Sequence, residues 1–382
     1  MSRFIGLDLH KEYIHGCEWS PVDPRERHFR FPNTQEAWEQ FLAELDGSCQ
    51  VALEVTGGAF EIYDRLAEVA GQVVVANPLE MKRLGSGRHT DRNDAARLAK
   101  MLALGVLPGV WVPPASIREL RNLLRFRERL VCTRRRFINQ AKAVLRRHGH
   151  TLPCRRDPRR IPAQTLASLP AGDRFIVESA HRQLVHLDQE IAWVETELAR
   201  RTQDESMVQL LLTIPGVGLT AAISVFAFLG DPHRFRSAKQ VARYAGLDPS
   251  VHQSGTTDFR GHISKNGCAQ LRSVLVEAAH VVARYDDGPL GRFYRSKRAR
   301  LGHKRSIIAL ARKLLIVCWK ILQRGEPYRA AKPHMTNRKQ RLIRRIAARP
   351  LLGEEPAESC TSVTDDAPSH RTRLKTRTRV PA

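Results

Sequence analysis

The sequence predicts an α/β module followed by mainly α-helical ones. Three observations carry this. Short apolar runs alternate with amphipathic helical stretches through residues 1–110. Two long heptad-patterned segments flank a Pro/Arg-rich stretch within 115–203. From residue 205 to 330 the helical period dominates.

In the first module, FIGLDLH is short and apolar, as a buried strand is. YIHGCEW and HFRF follow as hairpin strands across the turn-forming Pro21, Asp23 and Pro24. Thr34 is placed to cap the helix TQEAWEQFLAEL, whose Trp38, Phe41, Leu42 and Leu45 share one face. VALEV is the next strand, the segment around Phe60–Val69 a helix, and VVVANP a strand that Pro78 ends. TDRNDAARLAKMLALG is a helix between Thr90 as cap and Gly105 as stop. The order β-β-β-α-β-α-β-α is the RNase-H-like arrangement, a mixed sheet with helices on its faces.

Residues 115–147 read as a long, very basic helix, with Leu120, Leu124, Val131, Ile138, Ala141 and Leu145 in alternating three- and four-residue steps whose gaps Arg127 and Arg134 fill. Residues 175–202 repeat the pattern through Leu184, Leu187, Ile191, Val194 and Leu198. An antiparallel helical hairpin is the simplest product, as a plain bundle core or as a basic spacer or dimer arm. Residues 205–330 open with two helices joined by the turn IPGVG and end in the helix KRSIIALARKLLIVCWKIL. The basic tail 333–382 has few large apolar residues after Leu352 and is expected to lack structure.

Charge divides the chain. Residues 1–100 hold 12 Lys/Arg against 16 Asp/Glu, while the remainder holds 51 against 23, giving the overall +24. An excess of that size implies a polyanionic partner. The seven cysteines are widely spaced, without CxxC, which fits reduced thiols and a cytoplasmic, nucleoid-associated protein better than a disulfide framework. His148, His150 and Cys154 lack the second ligand pair that zinc spacing requires. No apolar run approaches the ~20 residues of a membrane span.

Four acids stand out. Asp8 interrupts the apolar run IGLDL, Glu54 closes VALE, and Asp91 and Asp94 share a helix face three residues apart. In the expected topology the first and fourth strands are neighbours and the last helix packs on them, so the four converge. Such a cluster needs cations, and hard oxygen ligands select Mg²⁺ or Mn²⁺. Individually, Asp91 also fits a helix N-terminal charge and Glu54 a polar strand end.

A second constellation lies downstream. The turn Ile214–Gly218 exposes backbone amides, with Gly216 and Gly218, beside a helix N-terminus, an arrangement suited to a phosphate or to a plain helix corner. Ser254 precedes Gly255 on a polar stretch that also carries Arg260, His262, Ser264, Lys265 and Arg272. It reads as a nucleophile that needs activation from elsewhere, or as a donor in a phosphate-contacting loop.

Together, GLDLHK, ALEVTG and TDRNDAARLA with IPGVG, YAGLDPSVHQSG and GHISKNGCAQLR resemble the IS one-ten family of insertion-sequence transposases and the related Piv-type DNA invertases, over residues 3–330. The resemblance implies a RuvC-like domain at 1–110 whose DEDD acids are Asp8, Glu54, Asp91 and Asp94, and a helical transposase domain at 205–330 whose nucleophile is Ser254, with Ser264 as the alternative. It implies strand cleavage and rejoining through a 5′-phosphoserine link, in dimers or tetramers that pair the acids of one protomer with the serine of another. It also implies guidance by a bridge RNA. Cys268 stands where the family has asparagine, and the tail is long and basic for it. The rival readings are a Holliday-junction-type nuclease that activates water with the same acids, and a non-catalytic nucleic-acid-binding relic.

Overall fold

The computed structural model describes residues 3–84, 90–150, 161–254 and 257–351, with the backbone alone for 251–254 and 257–260. It divides into two compact units, 1–115 and 116–382. Among the described residues no helix is long and apolar enough to cross a membrane. The five cysteines among them are free thiols.

The first unit is a five-stranded sheet, β1 (Arg3–Leu9), β2 (Tyr13–Trp19), β3 (Arg27–Pro32), β4 (Cys49–Glu54) and β5 (Gln72–Ala76), in the order β3-β2-β1-β4-β5. β1 runs antiparallel to β2 and parallel to β4, so the first and fourth strands are neighbours as expected. Strand alternation sends Ile5, Leu7, Val51 and Leu53 to one face, where α1 (Gln35–Ala43) adds Trp38 and Phe41 and α2 (Ala59–Ala67) adds Leu66. On the other face Ala52 and Ala76 pack with Met81 of α3 (Pro78–Leu84) and with Leu98 and Leu102 of α4 (Asp91–Ala103). Helix α3 was not expected. Pro78 does not close a segment here but opens one, as the first residue of a helix, where its missing N–H is not needed.

In the second unit, α5 (Ala115–Arg147) and α7 (Ala171–Thr202) flank the short α6 (Ala163–Ala167). Ion pairs give the direction of the long pair: Glu119 with Arg201, Arg127 with Glu195 at 2.6 Å, Arg134 with Asp188 at 2.5 Å and Arg147 with Asp173 at 2.7 Å. One partner's number rises as the other's falls, so α5 and α7 are antiparallel. His148 also binds Asp173, at 2.6 Å, and His150 lies 3.1 Å from the Ser168 hydroxyl; Cys154 lies outside the described residues.

The base of this hairpin joins the main core through Leu120, Leu124, Val194 and Leu198. The core is completed by α8 (Ser206–Leu212), α9 (Leu219–Leu229), α10 (Ala238–Tyr244), α11 (Ala269–Tyr285) and α12 (Pro289–Arg324), the last with a non-helical backbone at Gly302. The polar stretch after Pro249 is an antiparallel hairpin, β6 (Pro249–Ser254) and β7 (Thr257–Ile263), and not a loop. The tail also departs from expectation. It begins with α13 (Pro333–Ala347), which buries Ile343, Ile346 and Ala347 against α7 and α8. Its apolar residues are few, but the spacing of these three puts them on one face. Residues 352–382 lie outside the described ones.

Candidate metal centre

The site is assembled at the end of β1. Gly6 faces α4, where a Cβ would lie 2.1 Å from the Ala95 carbonyl oxygen and 2.7 Å from the Ala99 nitrogen. The absent side chain lets the helix backbone settle on the strand. Asp8, two residues on, faces the same way. Thr90 caps α4 by accepting from the Asn93 N–H, which sets Asp91 and Asp94 in the first turn. Leu7 pairs with Leu53 across the parallel strands, so Glu54 takes the register position beside Asp8.

Asp8, His10 and Asp91 each offer a ligand atom within 4.8 Å of the others. His10 Nε2 stands 3.1 Å from Asp8 Oδ2 and 3.4 Å from Asp91 Oδ1. Tyr13 stacks on His10 and donates its hydroxyl to Asp91 Oδ2 at 2.8 Å, while Arg30 lies 3.6 Å from the Tyr13 ring centre. Burial raises the Asp8 carboxyl above its usual range; His10 opposes this, and Asp91 and Asp94 add to it. The Tyr13 hydrogen bond draws Asp91 below its usual range. Asp94 sits 3.5 Å from Arg97.

Asp8 and Asp91 therefore meet, and Asp94 is near enough to be felt by Asp8. Glu54 is aligned with them by register and lies outside the 4.8 Å set. His10 and Tyr13 were absent from the sequence-based set. His10 follows Asp8 by two residues, so strand alternation carries a signal for it; Tyr13 reaches Asp91 only through the β1–β2 turn. Partly buried carboxylate oxygens and an imidazole, with ionisation opposed at Asp8, form a donor set that a divalent ion fits.

The second constellation is resolved residue by residue. Gly216 has a left-handed backbone, φ 75°, and a Cβ there would meet Val282 at 2.5 Å, so it serves the packing of α9's approach onto α11. Gly218 is open at the N-terminus of α9. Arg272 donates to the carbonyls of Ala245 at 2.8 Å and Lys265 at 3.3 Å, so its guanidinium holds the turn before α11. Lys265 is exposed, and the Ser264 hydroxyl donates to Asp248 at 2.5 Å. Ser254 ends β6 opposite Thr257, and Arg260 lies in β7 opposite Val251; their side chains are outside the described residues.

Two family models match. A DEDD transposase model of the IS110 type matches residues 5–150, and the model of the transposase IS116/IS110/IS902 family matches residues 208–295. The chain belongs to this transposase family. It is 27% identical over 340 residues to the transposase for insertion sequence element IS1111A of Coxiella burnetii, covering 86% of this chain and 91% of that one. It is 27% identical over 337 residues to a probable family 20 transposase of Pseudomonas aeruginosa, covering 85% and 98%. The pilin gene-inverting protein of Moraxella lacunata is 26% identical over 350 residues, with 85% and 97% covered, which fits the kinship with invertases. The first model spans all four acids, and the second spans Gly216, Gly218, Ser254, Arg260, Lys265 and Arg272.

Proposed function

We propose that this transposase cleaves and rejoins the DNA of an insertion sequence with a divalent ion, Mg²⁺ or Mn²⁺, and Ser254 as nucleophile. The observation that carries the reading is the meeting of Asp8, Asp91 and His10 within 4.8 Å where β1 meets the first turn of α4, with Asp94 adjacent. The strand order and the parallel β1–β4 pair support an RNase-H-like, RuvC-like domain around it.

Asp8 and Asp91 would hold the ion, with Glu54 and Asp94 completing the set. A bound divalent ion stabilises charge on the phosphoryl oxygens of an in-line displacement. Tyr13 fixes the orientation of Asp91, and His10 faces both carboxylates. The Ser254 oxygen attacks phosphorus as its proton leaves to solvent; the bond from phosphorus to the 3′ oxygen breaks, giving a 5′-phosphoserine and a free 3′-hydroxyl. A second 3′-hydroxyl then attacks the phosphoserine, joins the strands and returns the serine. Ser254 stands at the end of a hairpin strand. Lys265, which is exposed, and Gly218, at the N-terminus of α9, would contact phosphate, and Arg260 is retained for the same role.

The active form would be a dimer or tetramer that combines the acids of one protomer with the serine of another, guided by a bridge RNA, in the cytoplasm at the nucleoid. The net +28 of residues 101–382 supports a large polyanionic partner.

The test incubates protein, candidate RNA and end-labelled DNA with Mg²⁺. The expected result is a covalent protein–DNA adduct, lost in Ser254→Ala and in Asp8→Asn. An adduct in Ser254→Ala moves the nucleophile, with Ser264 next. Free 5′-phosphate ends without any adduct establish the water-activating nuclease instead, and recombination undiminished in Asp8→Asn removes the acids from the chemistry.

A further inference from the structure

Helix α13 lies beyond both matched ranges, 5–150 and 208–295, and no part of the reading above uses it. Its 15 residues hold five Lys/Arg and no acid. Its inner face is anchored at three places. Ile343, Ile346 and Ala347 are buried in the main core. Lys339 turns inward and donates to the Leu212 and Ile214 carbonyl oxygens, both at 2.7 Å. Arg200 of α7 donates to the carbonyls of Ala347 at 3.0 Å and Arg349 at 2.8 Å, closing the far end. Burial lowers the Lys339 ammonium to about 8, the mark of a lysine used for structure and not for solvent.

The outer face is different. His334, Arg338, Arg341 and Arg345 recur at four, three and four residues, which is one stripe of a helix, and all are exposed. Among the described residues none of the three arginines has a carboxylate partner. The stripe is ~16 Å long at 1.5 Å per residue, about five base pairs of duplex at ~3.4 Å each.

We propose that α13 (Pro333–Ala347) is a docking helix for duplex DNA, with Arg338, Arg341 and Arg345 each taking a backbone phosphate. This rests on the reading of the chain as a DNA transposase. Guanidinium forks match phosphate oxygens in geometry as well as charge. The helix carries no Phe, Tyr or Trp, so it offers no platform on which unpaired bases stack, and that favours a duplex over single strands or RNA loops. Ile343, Ile346 and Ala347 are taken up by the core, and the two exposed apolar side chains, Met335 and Leu342, lie seven residues apart and make no continuous face to insert into a lipid surface. A helix pinned from its middle to its C-terminal end presents its cations with little ordering cost at the moment of binding.

The experiment uses the full chain in EDTA, so that no cleavage occurs, and measures affinity for a labelled duplex of arbitrary sequence across a salt series. The triple variant Arg338→Ala/Arg341→Ala/Arg345→Ala is expected to lower the slope of log affinity against log salt by roughly 2.7, at ~0.9 per phosphate contact, and Lys at the same three positions is expected to restore it. The three residues are exposed, so far-ultraviolet circular dichroism and the melting temperature should match wild type. A slope lowered by less than ~1 overturns the proposal. So does a loss confined to an RNA hairpin or to single-stranded DNA, probed in parallel arms. Adduct formation is read separately, in the wild-type chain: an unchanged slope in the triple variant beside a normal wild-type adduct defeats the docking helix alone, and the expected slope change beside a wild-type chain that forms no adduct defeats the site reading alone.

Discussion

The two units use charge in opposite ways. In the first, packing forces like charges together: Asp8 and Asp91 meet at one point with Asp94 beside them, and burial works against the ionisation of Asp8. In the second, opposite charges zip α5 to α7, and surplus bases face outward along α13. The first arrangement works against the charge of Asp8, which a cation bound there as proposed would relieve; the second balances its charges within itself. On the proposed function, a protein that both grips phosphate and reacts at it would separate the two tasks, because one surface cannot be strongly negative and strongly positive at once.

The largest expected effect tests that separation. Asp8→Ala should lower strand cleavage about 10³-fold, about 4 kcal/mol of transition-state stabilisation, as removing a ligand of a phosphoryl-transfer ion does. Duplex binding in EDTA, with its salt slope, should be unchanged. If the variant loses both together, the division of labour is wrong.

Gly6→Val comes next. Its first added carbon alone would stand 2.1 Å from the Ala95 carbonyl oxygen, a backbone atom that cannot swing aside. Separating α4 from β1 should cost about 3 kcal/mol in urea denaturation and carry Asp91 away from Asp8, abolishing Mg²⁺-dependent cleavage. Gly47→Ala, where nothing lies within 4 Å, is the control and should change stability by less than ~0.5 kcal/mol. Equal losses in the two variants would mean that the close approach at Gly6 does not position the acids.

How far the sequence could foresee this differs between the units for a physical reason. In the first, period-two apolar strands and a capped amphipathic helix are local signals, and they were enough to place Asp8, Asp91 and the neighbouring β1 and β4. His10 was legible from its place two residues after Asp8 and was passed over, whereas Tyr13 escaped because its role depends on a contact with Asp91 far along the chain. In the second, the heptads announced the hairpin, but three elements ran against their composition. Pro78's counterpart lesson in the first unit, a proline that opens a helix, recurs as Pro333 opening α13. The polar, glycine-bearing β6–β7 hairpin looked like a loop because it has no alternating apolar face. Arg272 and Gly216 looked like phosphate ligands because the residue types suit phosphate; the carbonyls of Ala245 and Lys265 and the closeness of α11 are invisible without the fold.

A smaller effect concerns the stability of the acidic site itself. The Asp8 carboxyl is held above its unfolded value, so the folded state favours the proton. Stability from that preference is fully present below the usual carboxylate range and is lost as pH rises through the raised value. At neutral pH and in EDTA, Asp8→Asn should therefore melt no lower than wild type, and any advantage should shrink as pH falls toward 4, the ordinary aspartate range. Added Mg²⁺ should raise the melting temperature of wild type and not of the variant. A variant less stable than wild type in EDTA at pH 7 would mean that Asp8 is already satisfied without a cation.

The smallest expected effect lies in the hairpin. Arg134 and Asp188 are each 28% exposed and 2.5 Å apart, whereas Arg201 and Glu119 are 41% and 61% exposed. A double-mutant cycle to alanine should give a coupling of about 0.5–1 kcal/mol for the first pair and near zero for the second, since solvent screens the more exposed rung. Salt at ~1 M, where the Debye length is ~3 Å, should weaken the first coupling. The same salt should ease the repulsion between Asp8 and Asp91 in the metal-free protein, so the two units should respond to salt with opposite sign. If both lose stability in salt, the carboxylates are not strained against one another, and the contrast between an opposed site and a zipped hairpin fails at its acidic end.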